Sequence, residues 1–150
     1  MTSLRPPAFE DEASLFSLAN EFLEAAEILA RSPPDKLNVS LVTLYLLGHA
    51  AELQLKCLLH KHGVPLADLK DATKYGHDLA KLVGQARKSG LITSDLLLSV
   101  ETFSKNYTPK HTEYRQKVST SLPPVDSLLQ ELRGLQGQVF NHVAQFQDGD

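Results

Sequence analysis

The chain is 150 residues long, with a formal net charge of -3 and a sequence pI of about 6.0. That length is typical of a single domain, and 42% hydrophobic with 22% charged residues is the composition of a globular protein. The charge excludes a basic field over the whole surface that would attract nucleic acid, although a local basic patch remains compatible with it.

The sequence also carries information about the cellular setting. Cys57 is the only cysteine, so no disulfide can form within the chain, and a reducing compartment is expected. The N-terminal segment has no apolar run that would predict a signal peptide, and no stretch approaches the roughly 20 apolar residues of a membrane span. We therefore expect a cytoplasmic protein without membrane contact.

Hydrophobic periodicity predicts helices in the first half of the chain. A first helix is expected over about 11–30, and a second over about 39–62, followed by a charged loop over 64–76. Gly63 and Pro65 are a typical stop for the second helix. The apolar residues of the first helix recur at three- and four-residue intervals: Leu15, Leu18, Ala19, Phe22, Ala25, Ala26 and Leu29.

Three further elements follow. A third helix is expected from about 77 to 88, with one apolar face formed by Leu79, Leu82, Val83 and Ala86. Thr93 or Ser94 is expected to cap a fourth helix that continues to about 106. Residues 107–122 show no clear period and are interpreted as a long ordered loop, a type that in compact domains is usually functional or disordered.

Pro123 and Pro124 open the last helix, whose apolar stripe includes Leu128, Leu132, Leu135, Val139 and Phe140. The predicted elements add up to an all-α fold, an up-and-down bundle of four to five helices. We expect one domain over residues 1–150, with a core of about 11–147 and flexible ends.

The second helix carries polar side chains within a very apolar stretch, YLLGHAAELQLK (45–56). At about 100° per residue, four of them share one narrow stripe between two apolar flanks: Tyr45, His49, Glu52 and Lys56. The opposite side, predicted to be the solvated one, carries Thr43, Gln54 and Lys61. Glu52 and Lys56 have the i,i+4 order that favours an ion pair. On a wet surface such a pair would only support the helix, whereas in a half-buried place it needs further partners.

Three short motifs succeed one another along the chain: LGHAAELQLK (47–56), YGHDLAKL (75–82) and EYRQ (113–116). Together they resemble the HEPN family of small bacterial all-α domains, over roughly residues 39–118. The residues that match its A-x-E-x-x-L-K helix are Ala50, Glu52, Leu55 and Lys56. Its G-H-D-L helix start is matched by Gly76, His77, Asp78 and Leu79, and its later aromatic and arginine pair by Tyr114 and Arg115.

The chain departs from the ribonuclease members of the HEPN family, which share an Arg-x4-6-His motif near the start of the last core helix. Eight residues separate Arg133 from His142, and no histidine closely follows Arg115. The segment from Lys105 to His111 has the spacing, but lysine does not reproduce the planar fork by which arginine holds a phosphate. The Arg-x4-Tyr element of members regulated by a nucleotidyltransferase partner is also missing. Enzymatic activity is therefore not the first expectation.

The resemblance implies a homodimer that binds a nucleotide or an RNA-like anion, with no cofactor. The expected ligand-binding residues are Tyr45, His49, Glu52, Lys56, His77, Asp78, Tyr114 and Arg115. Two alternatives remain open. One is a divergent, toxin-like ribonuclease in which His77, His111 or Arg115 carries the chemistry. The other is a non-catalytic interaction partner in a toxin–antitoxin-type pair, with the partner protein encoded nearby.

The candidate residues also have purely structural interpretations. Asp78 stands at a helix start, where its carboxylate can cap free backbone amides, with His77 packed beside it. In the functional interpretation, His77 instead faces Glu52 and Lys56 and completes a polar site. His49-x-x-Glu52 supplies only two possible metal ligands, whereas catalytic zinc takes about three from the protein, so no metal is expected.

Overall fold

The structure, a computed structural model, describes residues 12–31, 41–107 and 124–148. Within these ranges the chain forms six helices: α1 (Glu12–Arg31), α2 (Leu41–Lys61), α3 (Leu66–Lys70), α4 (Leu79–Lys88), α5 (Leu98–Tyr107) and α6 (Val125–Asp148). No strand occurs in them, so the predicted all-α class is confirmed. The additional helix is α3, which lies in the segment predicted to be a loop. None of the helices described here is both long and apolar enough to cross a membrane.

The central helix is α2, which packs against each of the other five. Its leucines form the middle of the core: Leu44, Leu47, Leu55, Leu58 and Leu59. Buried residues of α1, α4 and α6 surround these leucines, among them Ala19, Leu23, Leu82, Val83, Leu132 and Leu135. A helix that is apolar over most of its circumference is typically buried, and α2 follows that rule.

The prediction of which side of α2 faces solvent is wrong. Gln54 is 0% exposed and Thr43 is also buried, whereas Val42 is 51% exposed. Because five helices surround α2, its open edge is set by where they leave a gap and not by its few polar residues. That edge lies near Val42, within about 20° of His49 on the helix circumference. The stripe that carries His49 therefore lies beside the open edge of α2.

The buried faces of the outer helices largely match the predicted apolar faces, with exceptions in α1 and α6. All four apolar residues predicted for α4 are buried. In α1, Leu18 is exposed and Leu23 lies in the core, and in α6 Phe140 is exposed. Arg133 of α6 binds the carboxylate of Glu27 in α1 through Nε at 2.7 Å and also through Nη2. This two-pronged contact joins the first and last helices.

The start of α5 is held by a residue from α6. The predicted cap at residues 93–94 is wrong, because the helix begins only at Leu98. The Glu131 carboxylate accepts hydrogen bonds from the backbone amides of Ser99 and Val100, at 3.0 Å each. A carboxylate at this position satisfies free amides and complements the positive end of the helix dipole. The cap of α5 is therefore a tertiary contact.

Candidate functional site

The ion pair predicted from the i,i+4 spacing is present in α2. Lys56 Nζ donates to Glu52 Oε2 at 2.8 Å. Only 5% of Glu52 and 8% of Lys56 is exposed. An exposed pair of this kind stabilises a helix by a few tenths of a kcal/mol. Burying both charges costs several kcal/mol per ion unless other hydrogen bonds satisfy them, so the pair requires further partners.

His77 supplies one of those partners. Its Nδ1 lies 3.0 Å from Glu52 Oε1 and 2.9 Å from Glu52 Oε2. Because an ionised carboxylate only accepts hydrogen bonds, Nδ1 carries the hydrogen and donates, while the Nε2 edge of the ring faces away from Glu52. The His77 side chain is 53% exposed. The three residues, called here the Lys56–Glu52–His77 network, thus extend from the interior to the surface.

The charges of the network decide the protonation of Glu52. Burial by itself would raise the pKa of this carboxyl, because it disfavours the charged form. The Lys56 charge, the hydrogen bonds from Lys56 and His77 and the His77 charge act in the opposite direction, and together they hold the Glu52 pKa below its ordinary value of 4.5. Glu52 is therefore a carboxylate at neutral pH, which is the form that accepts both donors.

The turn between α3 and α4 places His77 against α2. In this turn the Tyr75 amide donates to Asp71 O at 3.0 Å, and the Asp78 amide donates to Tyr75 O at 2.9 Å. Between them, Gly76 is buried and has a φ of +50°, in the left-handed region that favours glycine. A Cβ atom there would lie 3.1 Å from Ala72 Cα, closer than backbone packing normally allows. The glycine of the G-H-D-L motif is thus required by this turn.

Asp78 has the structural role that was considered for it. Its side chain caps α4 by accepting a hydrogen bond from the Lys81 amide at 3.1 Å. The Ala80 amide donates to Ser104 Oγ of α5 at 3.0 Å. Two of the first amides of α4 are therefore satisfied within the protein, and Asp78 contributes to the site by fixing the helix start that follows His77.

The two remaining candidates of α2 form an aromatic cluster with α1. The rings of Tyr45 and His49 meet edge to face, with centroids 4.2 Å apart. Phe22 of α1 lies on the other side, with its ring centroid 5.1 Å from that of His49. Since Glu52 follows His49 by about one helical turn, the cluster continues the polar stripe toward the N-terminus of α2.

The structure therefore brings together five of the eight predicted residues in two adjoining groups along α2. A sixth, Asp78, follows His77 in the chain and caps α4. Tyr114 and Arg115 lie outside the described residues, as does His111. Phe22 was predicted only as a core residue, and the sequence held no signal for its contact with His49. No group of three or more histidine, cysteine, aspartate or glutamate side chains suitable for a metal occurs within the described part of the chain.

A second histidine contact lies outside this stripe. His62 Nε2 and His142 Nδ1 are 2.8 Å apart, and the ring centroids are separated by 4.6 Å. Partial loss of hydration and the nearby charges of His142 and Lys61 lower the pKa of His62. Sequence reasoning missed this pair, because its members are 80 residues apart and belong to no common motif.

The geometry of the Lys56–Glu52–His77 network defines what it can do. Glu52 fixes the ring orientation of His77 and one tautomer of the imidazole, and the opposite ring edge can meet a ligand. An imidazole held in this way can donate or accept a hydrogen bond through its exposed nitrogen, or serve as a general acid or base. Comparison of the chain with known protein families, with curated proteins and with solved structures found no match.

Proposed function

We propose that the chain is a HEPN-like helical domain that binds a nucleotide or an RNA-like anion beside His77, as a homodimer and without cleaving it. The observation that carries this proposal is the Lys56–Glu52–His77 network, a buried ion pair that ends in a half-exposed imidazole. Two of the three motifs through which the sequence resembles the HEPN family supply the residues of this network.

The energetics favour a role for the network beyond stability. Replacing a buried ion pair with apolar residues of similar volume is often neutral or stabilising. A pair kept in such a place is better explained by what it positions, which here is the ring of His77. A protonated imidazole is both a cation and a hydrogen-bond donor, and so suits a phosphate oxygen. The adjoining rings of Tyr45 and His49 provide aromatic surface of the kind on which a base stacks.

The remaining residues of the proposed site come from the resemblance. Arg115 would add a guanidinium, which binds phosphate through two parallel hydrogen bonds, and Tyr114 a further ring. Because the chain lacks the Arg-x4-6-His motif, we propose binding without cleavage. A divergent ribonuclease is the second candidate, and the contact of Glu52 with His77 Nδ1 favours it. A carboxylate in that position orients an imidazole for general-base catalysis.

Exposed apolar side chains support the proposed homodimer. Five large ones are 44% to 59% exposed: Leu18, Ile28, Val42, Leu98 and Phe140. A second copy of the chain would remove such surface from water, which is favourable in proportion to the area covered. We also propose the cytoplasm as the location, because the single cysteine, Cys57, is a buried free thiol.

The test is a binding and cleavage assay on the full-length chain. Labelled oligoribonucleotides and nucleoside triphosphates are titrated at low and at moderate salt, since phosphate contacts weaken as salt rises. His77→Ala and Arg115→Ala are expected to weaken binding, with the nucleic acid left intact. His60→Ala and Lys88→Ala are the matched controls for loss of an imidazole and of a cation, and both should bind as the parent does.

The outcomes separate the candidates. If cleavage copurifies with the protein and disappears in His77→Ala and Arg115→Ala, the chain is a divergent ribonuclease and does not bind the nucleic acid without cleaving it. If the chain neither binds nor cleaves the labelled probes but binds tightly to a protein encoded by a neighbouring gene, its function as a non-catalytic interaction partner is favoured. Light scattering on the same preparation tests the homodimer, and a mass of one chain would contradict it.

A further inference from the structure

Two imidazoles from distant parts of the chain meet where α2 ends and α6 passes. His62 directly follows α2, and His142 lies in α6. Their nearest ring nitrogens are 2.8 Å apart, with ring planes at 81° to each other. We propose that His62 Nε2 and His142 Nδ1 form a surface site for one divalent transition-metal ion of the imidazole-binding class, such as Zn²⁺, Ni²⁺ or Cu²⁺.

The separation of the two nitrogens suits a shared ion. Imidazole nitrogen binds Zn²⁺ at about 2.0–2.1 Å in a tetrahedral arrangement, so two ligands of one ion lie roughly 3.3 Å apart. The observed separation of 2.8 Å is shorter, and a turn of either side chain opens it to that value. His62 is exposed and His142 only partly buried, so such a turn does not disturb the core. Solvent oxygens would complete the coordination shell, as in other open metal sites.

The neighbouring residues define the class and the strength of the site. Neutral imidazole ligands suit zinc, copper and nickel, whereas magnesium and calcium prefer oxygen ligands. Two protein ligands and the adjacent charge of Lys61 point to modest affinity. His60 is turned elsewhere, with Nδ1 3.3 Å from Val64 O, and is not part of the site. This metal site and the proposed nucleotide site share no residue, so each can be tested without the other.

The test uses the untagged full-length chain, since a polyhistidine tag would itself bind the probe ions. ZnCl₂ is titrated by calorimetry, and thermal unfolding is followed with and without ZnCl₂. We expect saturable binding of one ion per chain and a higher midpoint of unfolding, because an ion that binds only the folded state stabilises it. His62→Ala and His142→Ala should each lose both effects, and His60→Ala should retain them. MgCl₂ should produce neither.

A second measurement keeps the inference testable if a variant unfolds. Electron paramagnetic resonance of the Cu²⁺-loaded parent chain should show hyperfine coupling to two imidazole nitrogens. Binding that persists in both His62→Ala and His142→Ala, a loss in His60→Ala, or no saturable binding to the parent chain would each overturn the proposal. In those cases the contact is only a hydrogen bond between the residue that follows α2 and a residue of α6.

Discussion

At the scale of single residues, Glu52 holds the proposed site together. It is a buried carboxylate that receives hydrogen bonds from Lys56 in its own helix and from His77 in a distant turn. Removing either donor leaves a charge in a poorly solvated place, whereas removing the carboxylate releases both donors. Replacing a donor and replacing the carboxylate are therefore expected to lower the free energy of unfolding by different amounts and with different dependence on pH.

Glu52→Gln is expected to remove an acid-sensitive part of the stability. The pKa of Glu52 is lowered in the folded protein, so its stabilising effect is complete above the ordinary value of 4.5 and is lost as pH falls through the folded value. Urea unfolding of both proteins between neutral and acidic pH should show a constant difference above pH 4.5 and a shrinking difference below it. A difference that does not depend on pH would contradict the assigned ionisation.

Lys56→Met is expected to destabilise the fold by about 3 kcal/mol, because it leaves the buried Glu52 carboxylate with a charge no longer offset by its nearest cation. The double variant Glu52→Leu, Lys56→Met removes both charges and should be considerably more stable than Lys56→Met alone. Urea midpoints at neutral pH provide the measurement. If Lys56→Met unfolds at the same urea concentration as the parent, the pair is not buried as described.

At the scale of elements, the starts of α4 and α5 are each hydrogen-bonded to a side chain of another helix. Asp78 and Ser104 together satisfy the first amides of α4, and Ser104 belongs to α5. The start of α5 is satisfied in turn by Glu131 of α6. The helices are therefore joined by polar contacts at their ends as well as by the apolar core.

Glu131→Ala is expected to cost roughly 1–2 kcal/mol, the usual effect of losing a helix cap. Hydrogen exchange should show faster exchange at the amides of Ser99 and Val100 than in the parent, with the amides of α4 little changed. Gln130→Ala, which alters the exposed neighbour of Glu131, is the control and should leave both amides protected. Equal protection in Glu131→Ala and the parent would show that the carboxylate is not the cap.

At the scale of the whole molecule, the sequence predicts the helices better than their surroundings. Apolar residues at helical spacing identify α1, α2, α4 and α6 and the buried face of α4, because that spacing follows from the helix itself. The orientation of α2 could not be obtained in this way, since apolar residues occupy most of its circumference and its neighbours decide which side is open. The five-residue α3 has too few positions to show a period.

The candidate site was predictable to the extent that its residues belong to motifs. The spacing of Glu52 and Lys56 predicts their pair, and the expected approach of His77 to that pair is present in the structure. Ligand binding there remains a prediction. The contact of Phe22 with His49 and that of His62 with His142 join residues with no shared pattern in the sequence. Such contacts are decided by packing between helices.

The capping of α5 by Glu131 has a consequence for synthesis on the ribosome. The carboxylate is translated 31 and 32 residues after the amides that it satisfies. During the interval in which Ser99 and Val100 have left the ribosome and Glu131 has not, water must occupy their amides. The start of α5 is therefore fully hydrogen-bonded within the protein only after α6 has formed. A stalled or truncated chain that ends before Glu131 would expose an incompletely capped helix to proteases and chaperones.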